Sequence, residues 1–395
     1  MTRPALGDRS LFPALRPRAY LNHAGVSPPS APVLEAARAV LEDFAERGGA
    51  AVGAALERRA RLRARVAELI GARPEEVGFT QNTSAGVQAV ALCLPWRPGD
   101  RVLLFEGEFP ANVTPWLRAA ETFGLEVCFV PLEPFRRSDE EGLALVEREL
   151  ARGVRLVAVS AVQFKSGLRM PLAELSRRCA AAHSELFVDA VQAAGAVPLD
   201  VRGVDYLAAG AHKWMMGLLG AGFLYVRSER APALVPRTAG WLSHEDAARF
   251  LVEPGQLRYD RPVRRRADLV EGGGASEVSL AALLASVEIL CGLGVRAISA
   301  HVTRYLDRLE PALVERGFES LRPKEAERRS GILSLLSPPG VDVAALAREV
   351  QARGVACATP DGAIRFSPHW PNDGEEVPWV LEVVDGALAA VRGAR

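Results

Sequence analysis

Lys213 is one of only three lysines in a chain of 395 residues, and the remaining side chains among its 48 Lys and Arg residues are all arginine. A guanidinium group stays protonated in proteins and forms no Schiff base, whereas a partly buried lysine amine loses its proton readily and can attack a carbonyl group. Lys213 lies in the sequence Gly-Ala-His-Lys-Trp, between an apolar run and a glycine-rich turn. On its position alone Lys213 is more simply an ordinary charged residue, and a chemical role is favoured only when the polar residues described next are counted with it.

Further polar residues follow apolar runs that have the length of β-strands. They are Asp189 after 186–188, Asn82, Thr83 and Ser84 after 77–79, the segment 106–112 after 101–105, and Gln163 after 155–160. The carboxyl ends of parallel strands meet at one edge of a sheet, where ligands bind. Thr83 and Ser84 also begin a predicted helix, and the N–H groups of a helix N-terminus suit a phosphate. The sequence therefore predicts one site that combines an amine, a carboxylate and an anion-binding turn.

Composition narrows the class of protein. The chain has 49% hydrophobic and 24% charged residues and a formal net charge of +0, so nothing favours nucleic acid or an anionic membrane as a partner. No run approaches the roughly 20 apolar residues of a membrane span, and the N-terminus lacks the apolar segment of a signal peptide. The five cysteines are scattered without a CxxC pair, which predicts free thiols rather than disulfides or metal ligands and a cytoplasmic protein.

Short apolar runs alternate with amphipathic stretches through the first two-thirds of the chain. The predicted strands are 77–79, 101–105, 125–130, 155–160, 186–188 and 222–226, followed further on by 332–336 and 364–366. The predicted helices are 33–46, 55–70, 84–93, 115–123, 139–151, 172–182, 277–293 and 343–353, with a further helix closing the chain. This alternation predicts an α/β fold whose mostly parallel sheet is covered on both faces. After the glycine-rich segment 271–274, a separate C-terminal region begins.

In the order of these motifs, from the segment 20–24 to about residue 376, the chain resembles the class V aminotransferase family of fold-type I pyridoxal-phosphate (PLP) enzymes. This family includes cysteine desulfurases, kynureninase and isopenicillin N epimerase. The resemblance implies a large PLP-binding domain (15–270) with a mostly parallel seven-stranded sheet. It also implies a smaller α+β domain (271–395), with residues 1–14 packed nearby. It further implies a homodimer that shares its active sites between subunits.

The resemblance implies a role for each residue around the cofactor. Lys213 would form the Schiff base and later move the proton at the substrate α-carbon, and Asp189 would pair with the protonated pyridine nitrogen, which makes the ring an electron sink. The other implied cofactor contacts are Gln192 at the ring hydroxyl, Phe109 stacked on the ring, Thr83, Ser84 and His212 at the phosphate, and Gly274. Gly274 stands where relatives carry a threonine that reaches the phosphate of the partner subunit, so a hydroxyl is missing there.

On the substrate side, Arg365 matches the arginine that clamps the α-carboxylate, since a planar fork binds a carboxylate bidentately. The resemblance also places Asn22, His23 and Gln163 near the substrate, although relatives often carry an asparagine around position 163. The segment before Arg365 is too short for the mobile loop of a cysteine desulfurase, and we expect Cys357 at the end of a strand. An exposed thiol of low pKa, which sulfur relay needs, is not predicted.

The predicted function is PLP chemistry on an α-amino acid through an external aldimine. We place transamination to a 2-oxo acid first, β-elimination of a cysteine-derived substrate (C–S lyase activity) second and epimerisation third. Because a protein can keep a fold after losing its catalytic activity, a PLP-binding regulator or a scaffold without catalysis stays open as a non-enzyme alternative.

Overall fold

A central sheet of seven strands organises the structure, a computed structural model that describes residues 3–393. The strands of the described chain are β1 Ala19–Tyr20, β2 Val77–Thr80, β3 Arg101–Glu106, β4 Glu126–Pro131, β5 Leu156–Ser160, β6 Glu185–Asp189, β7 Tyr206–Gly210, β8 Gly222–Val226, β9 Glu319–Ser320, β10 Leu333–Leu336, β11 Val355–Ala356 and β12 Ile364–Phe366. The large sheet has the order β2-β8-β7-β6-β5-β3-β4, and only β8 runs antiparallel to its neighbours. The predicted mostly parallel, seven-stranded sheet is confirmed.

The central strands β5 to β8 are buried along their whole length, which explains why they appear in the sequence as continuous apolar runs. The α-helices are α1 Ala31–Arg47, α2 Val52–Ile70, α3 Thr83–Cys93, α4 Thr114–Phe123, α5 Glu133–Arg137, α6 Asp139–Leu150, α7 Leu172–Ala181, α8 Glu277–Leu293, α9 Val295–Glu315, α10 Val343–Ala352 and α11 Val377–Gly393. Helices and strands follow the predicted order. The predictions contain no counterpart of α5 or of the long helix α9.

Helix α3 approaches the sheet unusually closely, and this sets the position of its N-terminus. A Cβ atom at Gly86 would lie only 2.7 Å from the Cβ of Ala208 in β7. A larger residue at position 86 would therefore push the helix away from the strand. Because β7 ends at Gly210, the first turn of α3 lies next to the segment that leads to Lys213.

The C-terminal region forms a three-stranded antiparallel sheet in the order β12-β10-β9. The N-terminal strand β1 crosses to this region and pairs in parallel with β11, and Asn22 bridges to Ser367. The N-terminal segment also contacts it, since the backbone N–H of Gly7 donates to the carbonyl of Trp370. Residues close to the N-terminus therefore help to hold the strand that carries Arg365.

Helix α8 opens the predicted C-terminal domain, yet it packs against α1 and α2. Its Ser286 hydroxyl donates to the carbonyl of Met215 at 2.6 Å, two residues after Lys213. The division of the chain at residue 271 stays a prediction. Within residues 3–393 no single helix is both long and apolar enough to cross a membrane, although α8 and α9, which meet at a 78° bend, pass that test when taken together.

Candidate active site

Lys213 lies just beyond the end of β7, with its amine 5.3 Å from the centre of the Phe109 ring. Burial lowers its pKa from 10.5 to about 8; the nearby charge of Asp189 raises this pKa, and that of Arg365 lowers it further. A lysine with a pKa near 8 is partly neutral at physiological pH, as a nucleophile or a general base must be. The structure therefore supports chemistry at this amine.

Asp189 ends strand β6 and is almost completely buried, with 2% of its surface exposed. Its Oδ1 accepts a hydrogen bond from the N–H of Val191 at 2.9 Å, whereas its Oδ2 has no partner among the described residues. Burial raises the pKa of Asp189 to about 7; the charge of Glu108 raises it further and that of Lys213 lowers it. A buried carboxylate oxygen without a partner is costly, so this atom is suited to a cationic or N–H group of a ligand.

Gln192 lies in the loop that follows Asp189, and both ends of its side-chain amide are engaged. Its Oε1 accepts from the indole N–H of Trp214 at 2.7 Å, and its Nε2 donates to the carbonyl of Ala24 at 3.1 Å. An amide nitrogen carries two hydrogens, so one donor of Nε2 remains for a ligand. The predicted contact of Gln192 with a ring hydroxyl is compatible with this geometry and stays a prediction.

The predicted phosphate residues come together around the first turn of α3. Asn82 caps this helix, since its side chain accepts from the N–H of Ala85 at 2.9 Å. A Cβ atom at Gly210 would lie 3.1 Å from Thr83 Oγ1 and 3.3 Å from the His212 ring, so the hydroxyl, the glycine and the imidazole are neighbours. The helix N-terminus adds backbone N–H groups and a partial positive charge, which together favour a phosphate.

A cavity of about 740 Å³ opens at this end of the site. Its lining includes Asn82, Gln88, His212, Leu219, Thr238 and the segment from Val270 to Ser276. Gly274 is exposed, and a Cβ atom there would meet nothing within 4 Å. Ser84, the second residue of α3, is half-buried, while Thr83 is buried beside it. The predicted cofactor residues His212 and Gly274 thus line one opening, and Thr83 lies near His212.

Phe109 follows β3 at the carboxyl edge of the sheet and is 42% exposed. Its ring meets that of Phe164 edge-on, with centroids 5.3 Å apart, while the amine of Lys213 lies over its face. An exposed aromatic face beside a reactive amine is suited to stacking on a planar ligand. The placement agrees with the predicted stacking role, which no observation here tests.

Arg365 lies in the middle of β12 and is buried. Its Nη1 donates to the carbonyl of Phe164 at 2.9 Å, while its Nε has no partner among the described residues. Burial lowers the pKa of Arg365 to about 10, which leaves it charged at neutral pH. The guanidinium is therefore held at one nitrogen and retains a free nitrogen for a carboxylate, as the clamp prediction requires.

Asn22 and His23 lie on the N-terminal segment beside the strand that carries Arg365. The Asn22 side chain folds over Gly25, and its Oδ1 is buried without a partner in the described chain. The Nδ1 of His23 lies 2.8 Å from Ser27 Oγ, and its ring meets that of His369 edge-on at 5.3 Å. Burial lowers the pKa of His23 well below its ordinary value, with the charge of His369 as a second cause. Its Nε2 is buried without a partner in the described chain, and its contact with substrate stays a prediction.

Gln163 is buried and is held by Glu108, a residue that the sequence motifs did not single out. Gly107, at φ +83°, turns the chain after β3 so that Glu108 points into the protein. Glu108 Oε1 accepts from Gln163 Nε2 at 2.9 Å and from the backbone N–H of Ser160 at 2.7 Å. The available signal was a carboxylate directly after an apolar strand and a glycine, at the edge where ligands bind.

Cys357 follows β11 and is buried, as the sequence predicted. Burial raises its pKa to about 12, so it carries almost no thiolate at neutral pH. The segment between Cys357 and Arg365 contains only seven residues and is folded back by hydrogen bonds between Ala358 and Arg365. Cys357 is therefore unsuited to accept sulfur.

These observations test whether the site suits PLP, the cofactor that the resemblance implies. The unpartnered Oδ2 of Asp189 suits a protonated ring nitrogen, Lys213 suits the aldehyde, and the N-terminus of α3 suits the phosphate. Each of the three chemical groups of the cofactor has a matching group at one edge of one sheet. The residues fit the cofactor.

Comparison with known proteins places the chain in a family. Residues 19–369 match the family model described as aminotransferase class-V. An uncharacterised aminotransferase of Bacillus subtilis, YcbU, is 28% identical over 95% of this chain and 96% of its own length. A probable cysteine desulfurase of Pyrococcus abyssi is 30% identical over 84% of this chain and 83% of its own. The structure of the cystine C–S lyase C-DES, in complex with its product cysteine persulfide, is 25% identical with a TM-score of 0.83, covering 93% of this chain and 97% of that one.

The chain therefore belongs to the class-V aminotransferases, a family of PLP-dependent enzymes. The family, the fold type and the cofactor that the sequence predicted are confirmed. The relatives carry names of different activities, so membership establishes a PLP-dependent enzyme and leaves its reaction to be inferred.

Proposed function

We propose that this protein acts on an α-amino acid and that Lys213 removes the proton from its α-carbon. The observation that supports this most directly is a half-buried amine whose pKa is lowered by burial and is influenced by the charges of both Asp189 and Arg365. When bound, the cofactor supplies the carbonyl group that captures the amino acid and a ring that withdraws electrons from the α-carbon. Thr83, Ser84, His212 and Gly274 would hold its phosphate, and Asp189, Gln192 and Phe109 its ring.

Arg365 would bind the substrate α-carboxylate through its free nitrogens and so fix which bond of the α-carbon faces Lys213. The carbonyl of Phe164 holds the guanidinium in place, and Phe164 also touches Phe109. Carboxylate clamp and ring platform are thus positioned by the same residue. We expect Arg365→Ala to raise KM for the amino acid about tenfold or more, with cofactor affinity unchanged.

We propose transamination as the first reaction, in which Lys213 returns the proton and the product leaves as a 2-oxo acid. The family assignment and the full-length similarity to the Bacillus subtilis aminotransferase support it. The test is to incubate the PLP-loaded protein with each common amino acid, with and without pyruvate as amino-group acceptor. Product formation that requires pyruvate supports transamination, and 2-oxo acid with ammonia in its absence contradicts it.

A second candidate is β-elimination at the Cβ–S bond of a cysteine-derived amino acid. The similarity to the cystine C–S lyase supports it, because the product of that enzyme is a free persulfide and Cys357 here cannot accept sulfur. The C–S bond would break with its electron pair on sulfur, and the sulfur would leave on a small thiol or persulfide. Cystine is the probe: release of pyruvate, ammonia and a persulfide without an added acceptor identifies this activity.

We also propose that two copies assemble with the segment from Gly272 to Ser276 beside the neighbouring site. That segment is largely exposed, it lines the cavity at the phosphate end, and Leu219 beside it is 66% exposed. Sedimentation of the purified protein tests the dimer. The two-domain division at residue 271 and the cytoplasmic location, which the five free thiols favour, stay predictions.

A further inference from the structure

Glu108 is a buried carboxyl group to which the proposed reaction assigns no task. It lies at the carboxyl edge of the sheet, next to Phe109. Three donors converge on it: the N–H and the hydroxyl of Ser160, and the side-chain amide of Gln163. Ser160 is in turn the register partner of Asp189 between β5 and β6. Glu108 therefore lies one strand away from the carboxylate proposed to face the cofactor ring.

The hydrogen bonds of Glu108 fix which way the Gln163 amide points. Glu108 Oε1 accepts from the backbone N–H of Ser160, and an ionised carboxylate can only accept from Gln163, which therefore presents Nε2 to it. A protonated Glu108 keeps the same arrangement with its proton on Oε2, because that proton is donated to the Ser160 hydroxyl, which then turns to accept. The carbonyl oxygen of Gln163 is the end left over.

That oxygen, Gln163 Oε1, is buried and has no hydrogen-bond partner among the described residues. A buried acceptor without a partner destabilises the protein, and a ligand that donates a hydrogen bond to it would recover that loss. The next residue, Phe164, contacts Phe109 and holds Arg365. The unpartnered oxygen therefore belongs to the segment that forms the proposed substrate side of the site.

We propose that Glu108 is a positioning residue that orients Gln163 as a hydrogen-bond acceptor, so that the site selects amino acids whose side chain carries a donor. This rests on the proposed function and names the chemical class of its substrate. An amino acid with a hydroxyl, amide or ammonium group on its side chain satisfies Gln163. An apolar side chain of equal size leaves the oxygen unpaired and is rejected.

The test compares binding of near-isosteric amino acids to the PLP-loaded protein by titration calorimetry: Thr with Val, Asn with Leu and Gln with Met. The wild type should bind at least one donor-bearing member about tenfold or more tightly than its apolar partner. Gln163→Met should abolish this ratio, and Glu108→Met should reduce it equally. Glu108→Gln should keep it within about threefold, since a glutamine oxygen accepts both hydrogen bonds while its amide donates to the Ser160 hydroxyl.

Several outcomes overturn the proposal. If the affinity ratio between donor-bearing and apolar amino acids is unchanged in Gln163→Met, then Gln163 is not the acceptor. If Glu108→Gln and Glu108→Met lose this ratio equally, the effect comes from the charge of Glu108 and not from the orientation of Gln163. If Gln163→Met lowers the affinity for PLP and leaves the ratio unchanged, then Gln163 binds the cofactor and not the substrate side chain. If Glu108→Met does not fold, Gln163→Asn replaces it, because the shorter amide cannot reach Glu108 and should also lose the ratio. A protein that binds no PLP would instead contradict the proposed function, which the visible spectrum reports before any titration.

Discussion

The two ends of the candidate site are built in different ways. The buried end consists of Asp189, Gln192 and Lys213, which are held by the central strands and by hydrogen bonds from the surrounding backbone and side chains. The open end consists of His212, the first turn of α3 and the segment 272–276, and it borders a cavity of about 740 Å³. One end is enclosed by buried strands, whereas the other is bordered by a glycine-rich segment whose residues 274–276 are exposed.

The difference indicates that the buried end serves the chemical reaction and the open end serves cofactor affinity. Strand register fixes the position of Asp189, which is proposed to face the cofactor ring, without help from a flexible loop. The open end is proposed to hold the cofactor phosphate, to which the N–H groups of helix α3 are suited. Changes at the buried end should therefore affect chemistry, and changes at the open end should affect affinity.

The largest effect is expected at Lys213. Lys213→Ala removes both the nucleophile and the proposed base, and turnover should fall by about 10²–10⁴-fold. Borohydride reduction of the PLP-loaded protein followed by peptide mass analysis should label Lys213 in the wild type only. Lys324→Ala, which removes an exposed lysine, is the matched control and should behave as the wild type. Normal turnover in Lys213→Ala would remove the mechanism.

A smaller loss is expected from Asp189→Asn. The substitution keeps the size of the side chain and an oxygen for the N–H of Val191, but it removes the charge that would stabilise a protonated ring nitrogen. Turnover should fall by about 10²–10³-fold, with a much smaller change in cofactor affinity. Steady-state kinetics and equilibrium dialysis measure the two. Equal losses in both quantities would mean that Asp189 serves binding rather than chemistry.

Asp189 and Lys213 could be placed at the buried end from the sequence because each follows an apolar run, whereas Gln192 was named only from the family resemblance. Asp189 follows one of these runs, and parallel strands of this kind bring their carboxyl ends together. Gln163 was also placed at this edge, but its orientation depends on Glu108, more than fifty residues away in the chain. A contact of that separation leaves no local pattern, so the partner could be found only in the folded chain.

Strand β1 and helix α9 are among the elements that were missed, for different reasons. Strand β1 has only two residues, which is too short to show an alternating pattern. Helix α9, in contrast, carries buried residues at helical spacing, among them Ile298, Val302 and Tyr305. Its pattern was readable despite Pro311 near its end. A strand as short as β1 leaves no pattern in the sequence, whereas the helical spacing of α9 is present in the sequence and was not used.

The dependence of stability on pH should test whether water is excluded from His369, which lies beside the buried end. His369 accepts from the N–H of Trp370 through Nδ1 and contacts the carbonyl of Trp214 through Nε2, next to Lys213. Burial lowers its pKa from 6.5 to about 4. Between these values the unfolded chain binds the proton and the folded one does not, so stability is full above pH 6.5 and falls as the pH drops towards 4.

This single histidine should cost about 3 kcal/mol of stability over that interval. Urea unfolding at a series of pH values measures it, and His369→Gln should flatten the dependence, since the substitution removes the titrating group. His183→Gln replaces an exposed histidine and should leave the slope unchanged. A wild-type slope in His369→Gln would show that the imidazole is protonated in the folded protein and that this end is open to water.

The smallest effect is expected at the open end, where Gly274→Thr adds a hydroxyl to the wall of the cavity. A Cβ atom there would meet nothing within 4 Å, so we expect the substitution to fold without strain. One new hydrogen bond to a phosphate should tighten PLP binding by about 2- to 10-fold. Equilibrium dialysis with PLP and with pyridoxal, which lacks the phosphate, measures it, and Gly274→Val is the matched control without the hydroxyl. The gain in affinity should appear only for PLP and only in the Gly274→Thr variant. If valine gives the same gain, or if pyridoxal gains as much, the segment 272–276 does not face the phosphate and the open end owes its affinity to helix α3.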